Sequence, residues 1–271
     1  MVELFENQLA IQNRQSSKGN QLKWTDGNIW YKADYTGYEG LSEYVISHLL
    51  KKTSLKEGEF VLYDFEEIKY NAQVFQGCKS KNFLDNDWQI ITLERLFQSF
   101  IGVGLSKIIC SMNAEEERLK FIVEQAERIT GLKHFGIYIS KLLTVDTFFL
   151  NEDRHTHNIA VLMNGNGEFA YCPIFDNGAG LLADTTMDYP LSGNVYVLEK
   201  SVKPKTFCSS FDEQLEIAEK LYGQHISFSF TKQDVAGLIA KAPYSDVIKN
   251  RVETVILNRM RKYKYLFCNS P

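Results

Sequence analysis

Along the chain, the spacing of hydrophobic and polar positions changes from a period of two to a period near 3.6. From Gln21 to Asp34 apolar and polar side chains alternate, which predicts two strands, QLKWT and IWYKA, turning at Asp26-Gly27-Asn28. Side chains alternate across a strand, so Trp30 and Lys32 share one face while Ile29, Tyr31 and Ala33 take the other. Lys32 therefore projects from a rigid element. The stretch YEGLSEYVISHLLK, Tyr38 to Lys51, spaces Leu41, Val45, His48 and Leu49 as a helix does, with Glu39 and Glu43 one turn apart on the opposite face. Glu59 to Phe65 (EFVLYDF) and Gln73 to Phe83 (QVFQGCKSKNF) predict two further strands joined by a polar link. A small, mostly antiparallel sheet with one helix thus ends near Leu84.

Beyond Asp85 the pattern is helical. ITLERLFQSFI is amphipathic and stops at Gly102 and Gly104, and Glu115 to Thr130 lines Leu119, Ile122, Ala126 and Ile129 along one face before Gly131. His134 to Leu150 is the most apolar of these segments and belongs at the centre of a helical lobe. IAVLMN and EFAYC predict a hairpin across Gly165-Asn166-Gly167, and three polar-started helices, DEQLEIAEKLYG, TKQDVAGLIAKA and SDVIKNRVETVILNRMRKYKYLF, follow. The expected fold is α+β and bilobal: a small β-rich lobe over residues 1–84, then a mainly helical lobe over residues 85–271.

Composition narrows the classes. A chain of 271 residues buries roughly 75% of its unfolded surface. Its net charge is −4 with Lys and Arg scattered, so no footprint for nucleic acid or anionic membrane stands out. The five cysteines are widely spread with no CxxC pair, as expected of reduced core thiols in a cytoplasmic protein. MVELFENQLAIQNRQ lacks a basic region followed by an apolar run, which argues against a signal peptide, and Phe135 to Leu150 is too short to span a bilayer.

Chemistry concentrates between Asp146 and Leu182. Two acidic clusters, DRHTHN and FDNG, flank the short apolar hairpin; Asp153 and Asn158 lie five residues apart, and Asp176 follows eighteen residues after Asn158. A base, two magnesium ligands, a lysine on the phosphates and an acid to steady it are what phosphoryl transfer from a nucleotide requires. Asp153, then Asn158 with Asp176, then Lys32 and Glu43 supply those types in that order, with Glu39 the alternative to Glu43. The polar loop Ser16-Ser17-Lys18-Gly19-Asn20 offers backbone N–H groups to a phosphate, a weak signal with one glycine. Two other readings compete. His155-x-His157 with Asp153 and Asp176 suits a zinc or manganese hydrolase, although the strand-helix repeats of barrel hydrolases are missing. A nucleotide-binding pseudokinase that serves as an interaction module is the non-enzymatic alternative.

WYKAD around Lys32, SEYVISHLL around Glu43, FFLNEDRHTHNIAVL around Asp153 and Asn158, and PIFDNGAGLL around Asp176 resemble the HipA-like atypical serine/threonine protein kinases, including the short cell-translocating kinase type. The resemblance runs nearly the whole chain, with the DRHxxN-to-FDNG module its most specific part. It implies a protein-kinase-like fold with a nucleotide-binding N-lobe and a catalytic C-lobe, and ATP and Mg2+ as cofactors. It gives Lys32 to the ATP phosphates, Asp153 as base, and Asn158 and Asp176 to magnesium. By the same resemblance the nucleotide site takes in Ser16, Ser17, Lys18 and Gly19, an adenine hinge at Ser80 to Leu84 with Ser80 and Phe83, and His155 orienting the catalytic loop. His157 is then an exposed residue. The acceptor implied is a Ser or Thr hydroxyl on protein, and Ser16 or Ser17 is a candidate autophosphorylation site. The chain leaves little room for the extra N-terminal subdomain of the long toxin-type members, so their antitoxin partner and DNA association do not carry over.

Overall fold

A computed structural model of the chain describes residues 1–10, 21–85 and 87–267. In chain order the elements begin with β1 (Val2–Glu3), β2 (Lys23–Thr25), β3 (Ile29–Ala33), α1 (Glu39–Leu50), β4 (Tyr63–Tyr70) and β5 (Gln73–Lys81). Next come β6 (Trp88–Thr92), α2 (Leu93–Ile101), α3 (Leu105–Cys110), α4 (Glu115–Thr130) and α5 (Phe135–Phe149). The chain finishes with β7 (Ala160–Asn164), β8 (Phe169–Tyr171), α6 (Val195–Ser201), α7 (Phe211–Tyr222), α8 (Lys232–Ala240) and α9 (Asp246–Lys262).

Two compact units result, interleaved in sequence. One is Met1–Phe83 with Asp176–Ser201 and Ser227–Pro271; the other is Leu84–Phe175 with Val202–Ile226. The expected segments, 1–84 and 85–271, are contiguous, whereas Asp176–Ser201 and the C-terminal helices cluster with the first unit. The reason lies in α1, which is buried on nearly every side rather than on one stripe, with only Glu39 and His48 partly exposed. A helix apolar or small all round needs neighbours all round. The sheet supplies some of them. Ser42 Oγ donating to Asn177 O (2.9 Å) and the Tyr38 hydroxyl donating to Leu181 O (2.7 Å) fix the others.

In this first unit the sheet order is β1-β4-β5-β3-β2, antiparallel throughout except that β1 joins β4 in parallel. Trp24 stands opposite Tyr31 and both enter a core with Leu4, Ala33 and Ile68, so the intervening residues Lys23 and Lys32 take the other face, as the alternation predicts. Two glycines let α1 approach closely: a Cβ on Gly40 would lie 2.7 Å from the Gly77 carbonyl carbon. The link expected to be polar between two strands is itself strand. β4 runs on through Ile68 to Tyr70 and turns at Asn71 (φ 48°) and Ala72 (φ 62°), the paired left-handed residues of a two-residue hairpin. Ile68 on the core side holds that register against the acidic residues around it.

The second unit centres on α5, buried along most of its length, as its composition predicts. Its neighbour α7 approaches at Gly136, where a Cβ would lie 2.2 Å from the Tyr222 ring. A three-stranded antiparallel sheet, β6-β7-β8, accompanies these helices, and β7 and β8 form the expected hairpin. The expected helix ITLERLFQSFI starts late. Its first residues finish β6, where Ile90, Ile91 and Thr92 pair with Leu162, Val161 and Ala160; Thr92 then accepts from Arg95 N at 3.3 Å and caps α2. Among the described residues, no helix is long and apolar enough to cross a membrane.

Candidate active site

The first unit holds a buried charge cluster. Lys32 Nζ on β3 lies 2.6 Å from Glu43 Oε1 on α1 and 2.6 Å from Asp176 Oδ1. The Tyr63 ring on β4 packs with its centroid 5.0 Å from the same ammonium. Burial alone would pull the Lys32 pKa down, but Asp176 and Glu43 outweigh it and hold the ammonium well above the ordinary lysine value. Glu43 also accepts from Asn177 N through Oε2 (2.9 Å), which ties the FDNG turn to the helix. Asp176 itself sits in the left-handed region at φ 60°, a conformation Asp tolerates better than most residues. Beside it a Cβ on Gly178 would lie 3.3 Å from Glu39 Cβ.

Glu39, the alternative partner for Lys32, is occupied elsewhere. Its carboxylate accepts from Thr36 N (2.8 Å) and Thr36 Oγ1 (2.7 Å), and from Tyr35 N and Gly37 N at 3.2 Å each. Glu39 therefore shapes the approach to α1, and Glu43 is the residue on the lysine. Asp34 caps the same helix by accepting from Gly40 N (2.6 Å) and from the Tyr244 hydroxyl (2.8 Å). Burial, with Glu39 nearby, pushes its carboxyl up to about 7 against these hydrogen bonds.

Sequence reasoning missed Lys23. It faces Lys32 in register across β2 and β3, and its Nζ lies 3.9 Å from Asp176 Oδ2. Like charges directly opposite on a sheet repel, so this pair is tolerable because two carboxylates sit between and beside the ammonium groups.

The second unit holds the DRHTHN loop. α5 ends at Leu150 in the left-handed region (φ 57°), and the chain doubles back so that Asn151 N donates to Asp146 O at 2.9 Å. The buried Asp146 carboxylate then collects Arg154 Nε at 3.0 and 3.1 Å, Arg154 Nη2 at 3.0 Å and Asn151 Nδ2 at 2.9 Å. Arg154 Nη1 donates onward to Asn158 O (3.0 Å) and to Phe175 O (2.7 Å), the residue preceding Asp176 in sequence. One guanidinium thus fixes both ends of the loop. A second anchor is Glu94, whose Oε2 accepts from Ser106 N, Ser106 Oγ and Thr156 Oγ1 at 2.8 to 2.9 Å. Burial would raise the Glu94 carboxyl, but these hydrogen bonds hold it below its ordinary value.

On this frame Asp153 Oδ1 takes Lys205 Nζ at 2.6 Å, and Asp153 Oδ2 lies 3.8 Å from His155 Nε2. Asn158 Nδ2 donates to Asp153 O at 2.9 Å, which presents the Asn158 amide oxygen as the atom able to bind a cation. His155 Nδ1 accepts from His157 N at 3.2 Å, an arrangement that orders the turn, and the His157 side chain is exposed. Among the described residues no three His, Cys, Asp or Glu side chains converge as a metal site.

The expected residues are therefore brought together in two groups, Lys32 with Glu43 and Asp176, and Asp153 with His155 and Asn158. Ser80 lies on β5 opposite Trp30 and Tyr63, and Phe83 follows that strand at the end of the first segment of its unit. Ser16, Ser17, Lys18 and Gly19 lie outside the described residues. Asp146, Arg154, Lys205 and Lys23 were not read from the sequence. Asp146 lies within the most apolar helix, whose spacing gives no sign of a buried ion pair, and Lys205 is separated from its partner by 52 residues with no local signal.

No protein-family model matches the chain, and no curated protein sequence matches it. The fold matches that of a solved structure, the crystal structure of a Helicobacter pylori proinflammatory kinase, CtkA, with a TM-score of 0.63 at 15% identity, covering 98% of this chain and 96% of that one. At this identity the likeness is one of fold, and it agrees with the expected α+β, kinase-like fold class.

Proposed function

We propose that the chain is an ATP-dependent serine/threonine protein kinase of the HipA-like kind. The observation that carries this reading is the buried contact of Lys32 with both Glu43 and Asp176 in a chain whose fold matches a kinase. A lysine steadied by a glutamate is the arrangement that holds nucleotide phosphates, and a lysine so paired stays charged. Glu43 contributes orientation, since its other oxygen is tied to the Asn177 backbone.

By the resemblance, Asp176 and Asn158 are the proposed magnesium ligands; a carboxylate and an amide oxygen are each of the hard oxygen type that magnesium takes alongside substrate phosphates. A magnesium ion held by these oxygens would supply neutralisation of the charge developing on the transferred phosphoryl group. Asp153 takes the proton of the acceptor hydroxyl, a Ser or Thr side chain on protein. Ser16 or Ser17 is the proposed site of autophosphorylation. Positioned proton transfer of this type contributes about 10² to 10⁴-fold.

The test is incubation of the chain with γ-labelled ATP and a protein acceptor, with and without Mg2+, followed by phosphoamino-acid analysis. Magnesium-dependent label on serine or threonine supports the proposal. Nucleotide binding without transfer identifies a pseudokinase, and hydrolysis that needs no ATP identifies a metal hydrolase.

A further inference from the structure

The Asp153 carboxylate is held from a segment 52 residues further along the chain. We infer that Lys205 is a positioning residue for Asp153, fixing one carboxylate oxygen so that the other receives the acceptor proton; this rests on the kinase reading. Lys205 Nζ sits 2.6 Å from Asp153 Oδ1, a charge-assisted hydrogen bond of the short kind. Asp153 Oδ2 is the oxygen turned towards His155.

The segment that carries Lys205 is itself anchored. The next residue, Thr206, donates through Oγ1 to Arg154 O at 2.8 Å, one residue along the loop from Asp153. Val202 and Phe207 on either side are buried, and Phe207 O accepts from Arg118 Nη1 at 3.3 Å. Two consecutive side chains, Lys205 and Thr206, thus grip two consecutive loop residues, Asp153 and Arg154. An ion pair with one partner 35% exposed adds little to stability. Its value is geometric: a carboxylate free to rotate presents either oxygen, while one pinned through Oδ1 presents Oδ2. In the transfer, the acceptor oxygen bonds to the γ-phosphorus as the bond to the bridging oxygen breaks. ADP leaves with that oxygen, and the hydroxyl proton passes to Asp153 Oδ2.

The experiment compares wild type, Lys205→Ala, Lys205→Arg and the neighbouring control Lys203→Ala, using Mg-ATP with dephosphorylated casein and the chain itself as acceptors. Lys205→Ala is expected to lose about 10 to 100-fold in kcat, within the range for a displaced catalytic group. The ATP KM should stay within about twofold, because the lost contact is not one that holds the nucleotide. Lys205→Arg restores much of kcat, Lys203→Ala matches wild type, and the melting temperature stays near that of wild type in all four. A Lys205→Ala kcat equal to wild type, an arginine variant as slow as the alanine one, or a loss confined to KM overturns the inference while leaving the kinase reading in place. No transfer by wild type to either acceptor overturns both.

Discussion

Replacing Arg154 by methionine removes the cation that holds the DRHTHN loop, and the structure sets the size of the loss. The Asp146 carboxylate is fully buried and receives three guanidinium contacts between 3.0 and 3.1 Å. Removing one partner of such a pair costs about 3–5 kcal/mol, because the remaining charge is left in the interior. Asn158 O and Phe175 O each lose one donor as well. Asn151 Nδ2 still serves Asp146, so the expected loss stays at about 3–5 kcal/mol, or about 6–20 °C in melting temperature. The deficit also depends on pH in a fixed direction. Burial already raises the Asp146 pKa above its unfolded value, with Arg154 and Asn151 pulling it down, so the folded chain retains the proton more readily there. Loss of Arg154 lifts that pKa further. Stability of the variant therefore recovers as pH falls and Asp146 becomes neutral, and the gap to wild type is widest above neutrality. Thermal unfolding followed by circular dichroism from pH 5 to pH 8 measures both effects, with Asp146→Asn/Arg154→Met as the neutral pair. A variant within about 3 °C of wild type, a deficit independent of pH, or a double variant no more stable than the single one refutes the reasoning.

Two further outcomes follow from the helix that carries Glu43. Gly40→Ala places a Cβ 2.7 Å from the Gly77 backbone, which no side-chain rotation relieves, so α1 must lift from the sheet at a cost of about 1–3 kcal/mol in denaturant titration; a neutral result would mean that the close approach is not needed. For Asp34, with a folded pKa of about 7 against about 3.9 unfolded, the folded state holds the extra proton between those values. Stability from this group therefore falls as pH rises from about 4 to about 7, by at most about 4 kcal/mol. Asp34→Asn, which keeps an acceptor for Gly40 N, should flatten that slope in urea titrations at stepped pH, and an unchanged slope would contradict it.

What the sequence disclosed and what it withheld divide along physical lines. Lys32 was legible because a lysine on an alternating strand has only two faces to choose from, and the core around Trp24 and Tyr31 fixes which. Asp153, Asn158 and Asp176 stand out because residue types at short spacing carry a chemical pattern, and the structure sets Asn158 against the Asp153 backbone and Asp176 against Lys32. The choice between Glu39 and Glu43 was not decidable from helical spacing, since both lie one turn apart; the Thr36 loop, which claims Glu39, decides it. Asp146 and Arg154 were hidden because a buried ion pair reads in sequence as an interrupted apolar helix followed by a charged loop. Lys205 and Lys23 were hidden for another reason: each reaches its partner from a distant segment, 52 and 153 residues away, where no local period applies. Strand limits differed at β4 and β6 because pairing partners overrode local polarity at Glu66 and Glu67, and because the β-branched Ile91 and Thr92, read as the start of a helix, pair with Val161 and Ala160.

In the proposed reaction Asp153 acts in phosphoryl transfer and not in holding the nucleotide. The most direct test of that role pairs wild type with Asp153→Asn, measuring Mg-ATP affinity by calorimetry and transfer of γ-labelled phosphate on the same preparations. Both forms are expected to bind Mg-ATP with similar affinity, while transfer to serine or threonine falls by about 10² to 10⁴-fold in the asparagine form. Equal transfer by the two forms, or loss of nucleotide binding together with activity, would contradict it.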